Sequence, residues 1–161
     1  GVNEWEICVE AMRQGDFDCF LVAGRYTLLE QGAIETMLPE CERRGVSMIV
    51  GGPFNSGILA TGVSGEGYYD YAAPPPEVVT AVRGIEAVCK AHAVPLAAAA
   101  LQFPLVHGSV ASVIPGVIAS EQVEENMRWM ALEIPTRLWE DLKSEGLLRE
   151  DAPIPSTEWR N

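Results

Sequence analysis

The sequence predicts an α/β protein in which about three parallel strands alternate with helices. Three observations carry this. Short apolar runs, Cys19-Phe20-Leu21-Val22-Ala23, Ser47-Met48-Ile49-Val50 and Ala111-Ser112-Val113-Ile114, are separated by segments with helical spacing of apolar residues. No two runs are close enough to form a hairpin, so the connections must be parallel crossovers. Two runs open into Gly/Pro-rich turns, Gly51-Gly52-Pro53-Phe54-Asn55-Ser56-Gly57-Ile58-Leu59 and Ile114-Pro115-Gly116. Such turns bring bare backbone against phosphate in nucleotide-binding α/β proteins.

Along the chain, Asn3 is the expected N-cap of a helix over 4–14, where Trp5, Cys8, Val9 and Met12 recur at helical spacing and Gly15 ends it. Residues 19–23 read as a fully buried strand. A helix is expected over 30–44, with Ile34, Met37, Leu38 and Cys41 inward, Pro39 marking a kink or restart and Gly45 the end. The strand 47–50 leads through the turn 51–59 into a long loop over 60–75 with Tyr68, Tyr69, Tyr71 and a triple proline. Pro76 opens a helix over 77–91, where a missing N–H costs little. A second helix follows over 96–105, then a strand over 109–114. Helices are expected over 120–130, with Ser120 as cap, and over 136–144. The domain is drawn as 1–150, with an irregular polar tail over 151–161.

The chain has 161 residues, 48% of them hydrophobic, enough for one domain with a sizeable core. A formal charge of −12 argues against nucleic acid, since no excess of Lys and Arg is present to neutralise phosphates. No basic amphipathic stretch suggests a membrane surface, and no apolar run approaches the ~20 residues of a bilayer span. Cys8, Cys19, Cys41 and Cys89 form no Cys-x-x-Cys pair, so neither a disulfide framework nor a metal site is expected. Without a signal-peptide pattern, the expected compartment is cytoplasmic. Three parallel strands leave two open edges, which implies further strands from elsewhere.

The order and wording of the turns resemble the last third to half of an aldo-keto reductase. Gly1-Val2-Asn3-Glu4-Trp5 resembles a barrel strand end and the following helix start. The segment 21–31, beginning Leu21-Val22-Ala23-Gly24-Arg25-Tyr26, resembles the sixth strand of the family, the turn 51–59 the end of its seventh, and 112–126 its eighth strand and the next helix. The branch most similar in wording contains the D-threo-aldose 1-dehydrogenases, also known as L-fucose dehydrogenases, and the pyridoxal 4-dehydrogenases. The resemblance implies half of a (β/α)8 barrel, with the site at the carboxyl ends of the strands. It also implies hydride transfer between a nicotinamide and a carbonyl or alcohol, with a Tyr, Lys, Asp and His supplied by the front half. No residue here matches those four positions, so no catalytic residue is assigned. His92 and His107 are read as solvated or capping.

What the resemblance carries over is cofactor binding. Asn3 matches an Asn that holds the nicotinamide carboxamide, although a helix N-cap role explains it equally. The backbone of Gly52, Pro53, Phe54 and Ser56 matches the loop around the pyrophosphate; a ligand-free tight turn is the alternative. Gly116 belongs to the matching turn after the eighth strand. Glu125 and Asn126 match residues that bind the adenine. The family's frequent ring-stacking aromatic after the seventh strand is replaced by Gly51. Val117, Ile118, Ala119 and Ser120 stand where relatives that prefer NADP place Arg or Lys, which favours NAD over NADP.

The resulting expectation is the cofactor-binding part of an NAD(P)-dependent sugar dehydrogenase, inactive alone. The alternative is a stand-alone half-barrel that serves as a binding or assembly module. Expected partners are the missing N-terminal half of the barrel or a second copy, giving a homo-oligomer with an interface beyond ~2,000 Å².

Overall fold

Each apolar run becomes a strand because it finds a parallel neighbour in register. The computed structural model describes residues 3–65 and 67–155. In chain order the elements are α1 (Trp5–Gln14), β1 (Cys19–Ala23), a 3₁₀ turn (Gly32–Ile34), α2 (Met37–Arg44), β2 (Ser47–Gly51) and α3 (Ile58–Thr61). There follow α4 (Pro76–Ala91), α5 (Leu96–Gln102), a second 3₁₀ turn (Phe103–Val106), β3 (Val110–Ile114), α6 (Ser120–Ala131) and α7 (Thr136–Ser144). The three strands lie in sequence order β1-β2-β3, both pairs parallel. Leu21 pairs with Ile49 and Ala23 with Gly51; across the second pair Ile49 meets Ser112 and Gly51 meets Ile114. The register slips between Met48 and Ile49, where Ala111 is the extra residue on β3.

The two sheet faces differ. Val22, Met48 and Val50 are at most 1% exposed, buried in the core with Leu38, Ile58, Leu101 and Trp139. Full burial of side chains of this size contributes about 1.5–3 kcal/mol each. On the other face Leu21 is 52% and Ile114 50% exposed. The expectation of a fully buried first strand is therefore corrected: β1 is covered on one side only, and Cys19 is exposed.

Local chemistry explains the remaining departures. Glu4, not Asn3, is the N-cap residue of α1, and it makes no side-chain capping bond. Pro39 is the third residue of α2, within the first turn, where an absent N–H breaks no intrahelical bond. The expected single helix over 30–44 is thus a 3₁₀ turn followed by α2, closed by Gly45 at φ +69°. The helix expected over 96–105 tightens to 3₁₀ geometry at Phe103, ahead of Pro104. Ala119 is the N-cap residue of α6, and Ser120 lies inside the helix. Gln122 Oε1 accepts the Ile118 N–H at 2.7 Å instead. The segment 151–155 forms no regular element, yet Ala152 is buried at 2% exposure. Gly1, Val2 and residues 156–161, where the sequence places a strand end and the last of the tail, lie outside the described residues.

Two buried glutamines tie the helices together. Gln102 donates from Nε2 to Trp129 O and Leu132 O, at 2.6 and 2.9 Å, satisfying carbonyls at the end of α6. Gln31 donates to Leu28 O and accepts the Arg149 N–H at 2.8 Å, which docks the C-terminal segment. Among the described residues no single helix is long and apolar enough to cross a membrane.

Candidate functional site

The carboxyl ends of the three strands open into turns at 24–31, 52–57 and 115–119. Those at the ends of β1 and β2 are stitched together. Thr27 Oγ1 donates to Asn55 Oδ1 at 2.6 Å and accepts the N–H groups of Leu29 and Glu30; Asn55 Nδ2 donates to Gly24 O at 3.0 Å. Asn55 is 3% exposed and Thr27 fully buried, so the clasp is shielded from competing water. On the other side the Gly52 N–H donates to Ile114 O at 3.1 Å, which draws the end of β3 against the same turn.

The β2 turn holds three consecutive residues at positive φ: Asn55 (+46°), Ser56 (+59°) and Gly57 (+106°). Two of them carry side chains, and left-handed backbone costs such residues roughly 1–2 kcal/mol each. Its N–H groups divide cleanly. Gly52 gives its own to Ile114, Pro53 has none, Asn55 donates to Gly52 O and Gly57 to Phe54 O. The N–H groups of Phe54 and Ser56 have no hydrogen-bond partner among the described residues. Unpartnered turn amides of this kind offer donors to an anion.

Asn126 belongs to the second candidate segment. It is 9% exposed, and its amide has no hydrogen-bond partner among the described residues. With Val113, Pro115, Val117, Leu105 and Met130 it lines a groove of about 420 Å³ beside β3. Glu125, next to it, is exposed on α6, and Gly116 is exposed in the turn. Asn3 is exposed ahead of α1, with no hydrogen bond to either turn. The structure thus joins the Gly52–Ser56 turn to the end of β3 and places Asn126 along the groove beyond, while Asn3 stands apart.

A hairpin over 68–72 stands against the β2 turn. Arg25 pairs with Asp70 through two bonds of 3.1 and 3.0 Å, and the Tyr69 hydroxyl donates to Glu30. Hydrogen bonding to Asp70 raises the Arg25 pKa, while burial, then Glu30, pushes Tyr69 up to about 12. Sequence reasoning missed Thr27, Asn55 and this ion pair. Their partners lie 28 to 45 residues away, beyond any local pattern.

Of the two roles expected of the histidines, capping holds and solvation is corrected: His92 is the C-cap residue of α4, His107 that of the second 3₁₀ turn, and both side chains are largely buried. The His92 side chain is 16% exposed with Nε2 2.8 Å from Asp141 Oδ2; that of His107 is 11% exposed and its Nδ1 accepts the Ser109 N–H. Among the described residues no group of three or more His, Cys, Asp or Glu is arranged to hold a metal ion.

A parallel sheet with helices on one face, a bare inner face and backbone-rich turns at its carboxyl ends defines part of a βα barrel. The Aldo/keto reductase family pattern matches residues 1–145, and the chain belongs to that family. It is 45% identical over 148 residues to a pyridoxal 4-dehydrogenase of Microbacterium luteolum, covering 92% of this chain and 43% of that protein. It is 42% identical over 139 residues to a D-threo-aldose 1-dehydrogenase of a Pseudomonas species, covering 86% and 42%. The chain therefore spans less than half the length of these curated relatives. Its fold is similar to an aldo-keto reductase from Bacillus halodurans in holo form, with a TM-score of 0.67, 22% identity, and coverage of 96% of this chain and 50% of that one. The three strands are accordingly a partial (β/α)8 barrel.

Proposed function

We propose that this chain is the dinucleotide-binding part of an NAD-dependent aldo-keto oxidoreductase acting on a sugar or a small aldehyde, with catalytic Tyr, Lys, Asp and His supplied by a front half. The observation that carries the reading is the β2 turn, where consecutive left-handed residues leave the Phe54 and Ser56 N–H groups free. A pyrophosphate offers the acceptors these donors lack. The groove beyond supplies the unpartnered Asn126 amide for an adenine, Glu125 and Gly116 adjoin its lining residues Asn126 and Pro115 in the chain, and Gly52 and Pro53 shape the turn. Asn3 takes the nicotinamide carboxamide once the front half is in place. No Arg or Lys lies among residues 117–122 to pair with a 2′-phosphate, which supports NAD over NADP. When bound, the dinucleotide supplies the hydride acceptor or donor; the chain's own part is to hold it.

Titration calorimetry tests this. NAD and ADP-ribose should bind this chain with a Kd of about 0.1–1 mM. Asn126→Ala should weaken both, and NADP should gain nothing over NAD. A clear NADP preference would overturn the reading of the turn after Gly116, and failure of both ligands to bind would overturn the site. This chain alone should turn over neither L-fucose nor D-arabinose with NAD.

The partner reading rests on a separate observation. Among the described residues, the exposed large hydrophobics other than two tyrosines lie along two margins: Ile7, Phe17 and Leu21 beside α1 and β1, and Ile114 to Leu132 beside β3 and α6. Those are the margins at which a barrel would close. A front half of the barrel is the occupant we propose for these margins, since the family fold closes eight strands into one barrel.

A further inference from the structure

The Thr27 hydroxyl is committed in every direction. A threonine hydroxyl has one proton to donate and two lone pairs with which to accept. Thr27 Oγ1 accepts the Leu29 N–H at 3.2 Å and the Glu30 N–H at 3.0 Å. Both lone pairs are therefore used inside the β1 turn, and the proton is left for Asn55 Oδ1, 2.6 Å away. The Thr27 N–H is itself bound to Glu30 O at 2.7 Å, so the hydroxyl stands on a closed turn. Because Oδ1 faces Thr27, Nδ2 faces Gly24 O at 3.0 Å, and this network allows the Asn55 amide one orientation.

The clasp ends one residue short of a free donor. Asn55 and Ser56 hold φ of +46° and +59°, a region disfavoured for residues with a Cβ. Such a conformation persists only where its surroundings over-determine it. For Asn55 those surroundings are Thr27 and Gly24 O. For Ser56 they are the Tyr68 and Tyr71 N–H groups, bound to its O and Oγ at 3.3 and 3.2 Å. The peptide unit joining Asn55 to Ser56 is planar, so the Asn55 backbone sets the direction of the Ser56 N–H. That N–H has no partner among the described residues. We propose that Thr27 is a positioning residue, acting through Asn55 to aim the Ser56 N–H at the pyrophosphate, a role that rests on the dinucleotide reading above. Without the clasp the turn samples other conformations, and apparent affinity falls with the fraction that stays competent.

The test compares wild type with Thr27→Val, which removes the hydroxyl at nearly unchanged size, and Thr27→Ser, which keeps it. NMR titrations follow the Phe54 and Ser56 amides with ADP-ribose, and the Asn126 side chain with adenosine, which carries no phosphate. Circular dichroism is the folding control. Thr27→Val should weaken ADP-ribose about tenfold, as for a competent fraction cut to about a tenth, and leave adenosine unchanged. Thr27→Ser should bind both like wild type. Asn55→Gly accepts positive φ freely but breaks the clasp from the other side. It should lose the same factor, with no further loss when combined with Thr27→Val, and it decides the matter if Thr27→Val fails to fold. Wild-type affinity for ADP-ribose in Thr27→Val or Asn55→Gly would overturn the proposal, with the dinucleotide site left standing. An equal loss of adenosine would mean a general loosening, and Thr27→Ser as weak as Thr27→Val would assign the effect to packing; either result overturns a positioning role. Failure of ADP-ribose to bind wild type would instead bring down the dinucleotide reading and this proposal with it.

Discussion

Single side chains decide whether the turns at the strand ends are rigid. Asn55 spans two of them, accepting from Thr27 and donating to Gly24 O while held at φ +46°. Asn55→Ala removes both bonds and leaves the buried Thr27 hydroxyl without its acceptor, so stability should fall by about 2–3 kcal/mol in urea denaturation. A loss below about 0.5 kcal/mol would show that the clasp does not hold the turns. Tyr26 is the opposite case. Its hydroxyl is buried with no partner among the described residues, and burial pushes its pKa well above the usual phenol range. Tyr26→Phe keeps the ring against Phe103 and should stabilise by about 1–2 kcal/mol. His107 carries the pH dependence. Burial lowers its pKa, and Glu42, 3.7 Å away, only partly opposes this. The unfolded chain therefore binds more protons below about pH 6.5, so stability rises with pH in that range. The His107 contribution is complete above about pH 6.5 and lost as pH falls through the folded value. His107→Gln should flatten the acid side of a stability–pH profile; an unchanged slope there would assign the dependence to other groups.

At the scale of elements, glycines show where backbone and helix meet. A Cβ on Gly67 would lie 2.6 Å from Ile58 Cα and 2.8 Å from its N, at the start of α3. Backbone cannot yield cheaply there, so Gly67→Ala should cost about 1–3 kcal/mol. It should also displace the hairpin that follows. A Cβ on Gly84 of α4 would meet Leu147 Cδ2 at 2.8 Å, the far end of a flexible side chain. Leu147 can turn aside, and alanine gains about 1 kcal/mol of helix propensity. Gly84→Ala should therefore change stability by less than about 1 kcal/mol. Thermal melts of the two variants side by side would check the contrast, and equal losses would refute it. The elements themselves were largely legible in advance. Residues 136–144 form α7 as expected, because Pro135 before it and the spacing of Leu138 and Leu142 agree with one another. The segment 30–44 was less legible, because apolar spacing cannot distinguish one long helix from a 3₁₀ turn with a new start ahead of Pro39.

For the whole molecule the governing fact is an incomplete sheet. Leu21 and Ile114 stand half-exposed on its inner face, and among the described residues neither outer strand has a partner on its outer edge. In isolation this chain should associate through that face, and sedimentation at micromolar concentration should show species larger than a monomer. Leu21→Glu puts a charge on the face and should shift the distribution toward monomer, with its secondary structure intact. A front half added in trans should compete with self-association, since it covers the same margins. A stable monomer that ignores both changes would remove the basis for the partner reading.

Sequence by itself determined the α/β class, the strand positions, the two Gly/Pro-rich turns and the family, because these depend on local periodicity and on motifs only a few residues long. It also named the candidate residues of the turns, Gly52 to Ser56, Gly116, Glu125 and Asn126. Only the tertiary structure decided which of them work together. Among the described residues the Phe54 and Ser56 N–H groups of the β2 turn find no acceptor, while the Gly52 N–H is committed to Ile114 O, 62 residues further along the chain. Asn126 faces the groove that α5, β3 and α6 line together, and Tyr71 is held in solvent by anchors from two other turns. Hydrogen-bond satisfaction and burial are properties of contacts between distant segments, and no spacing within one segment encodes them.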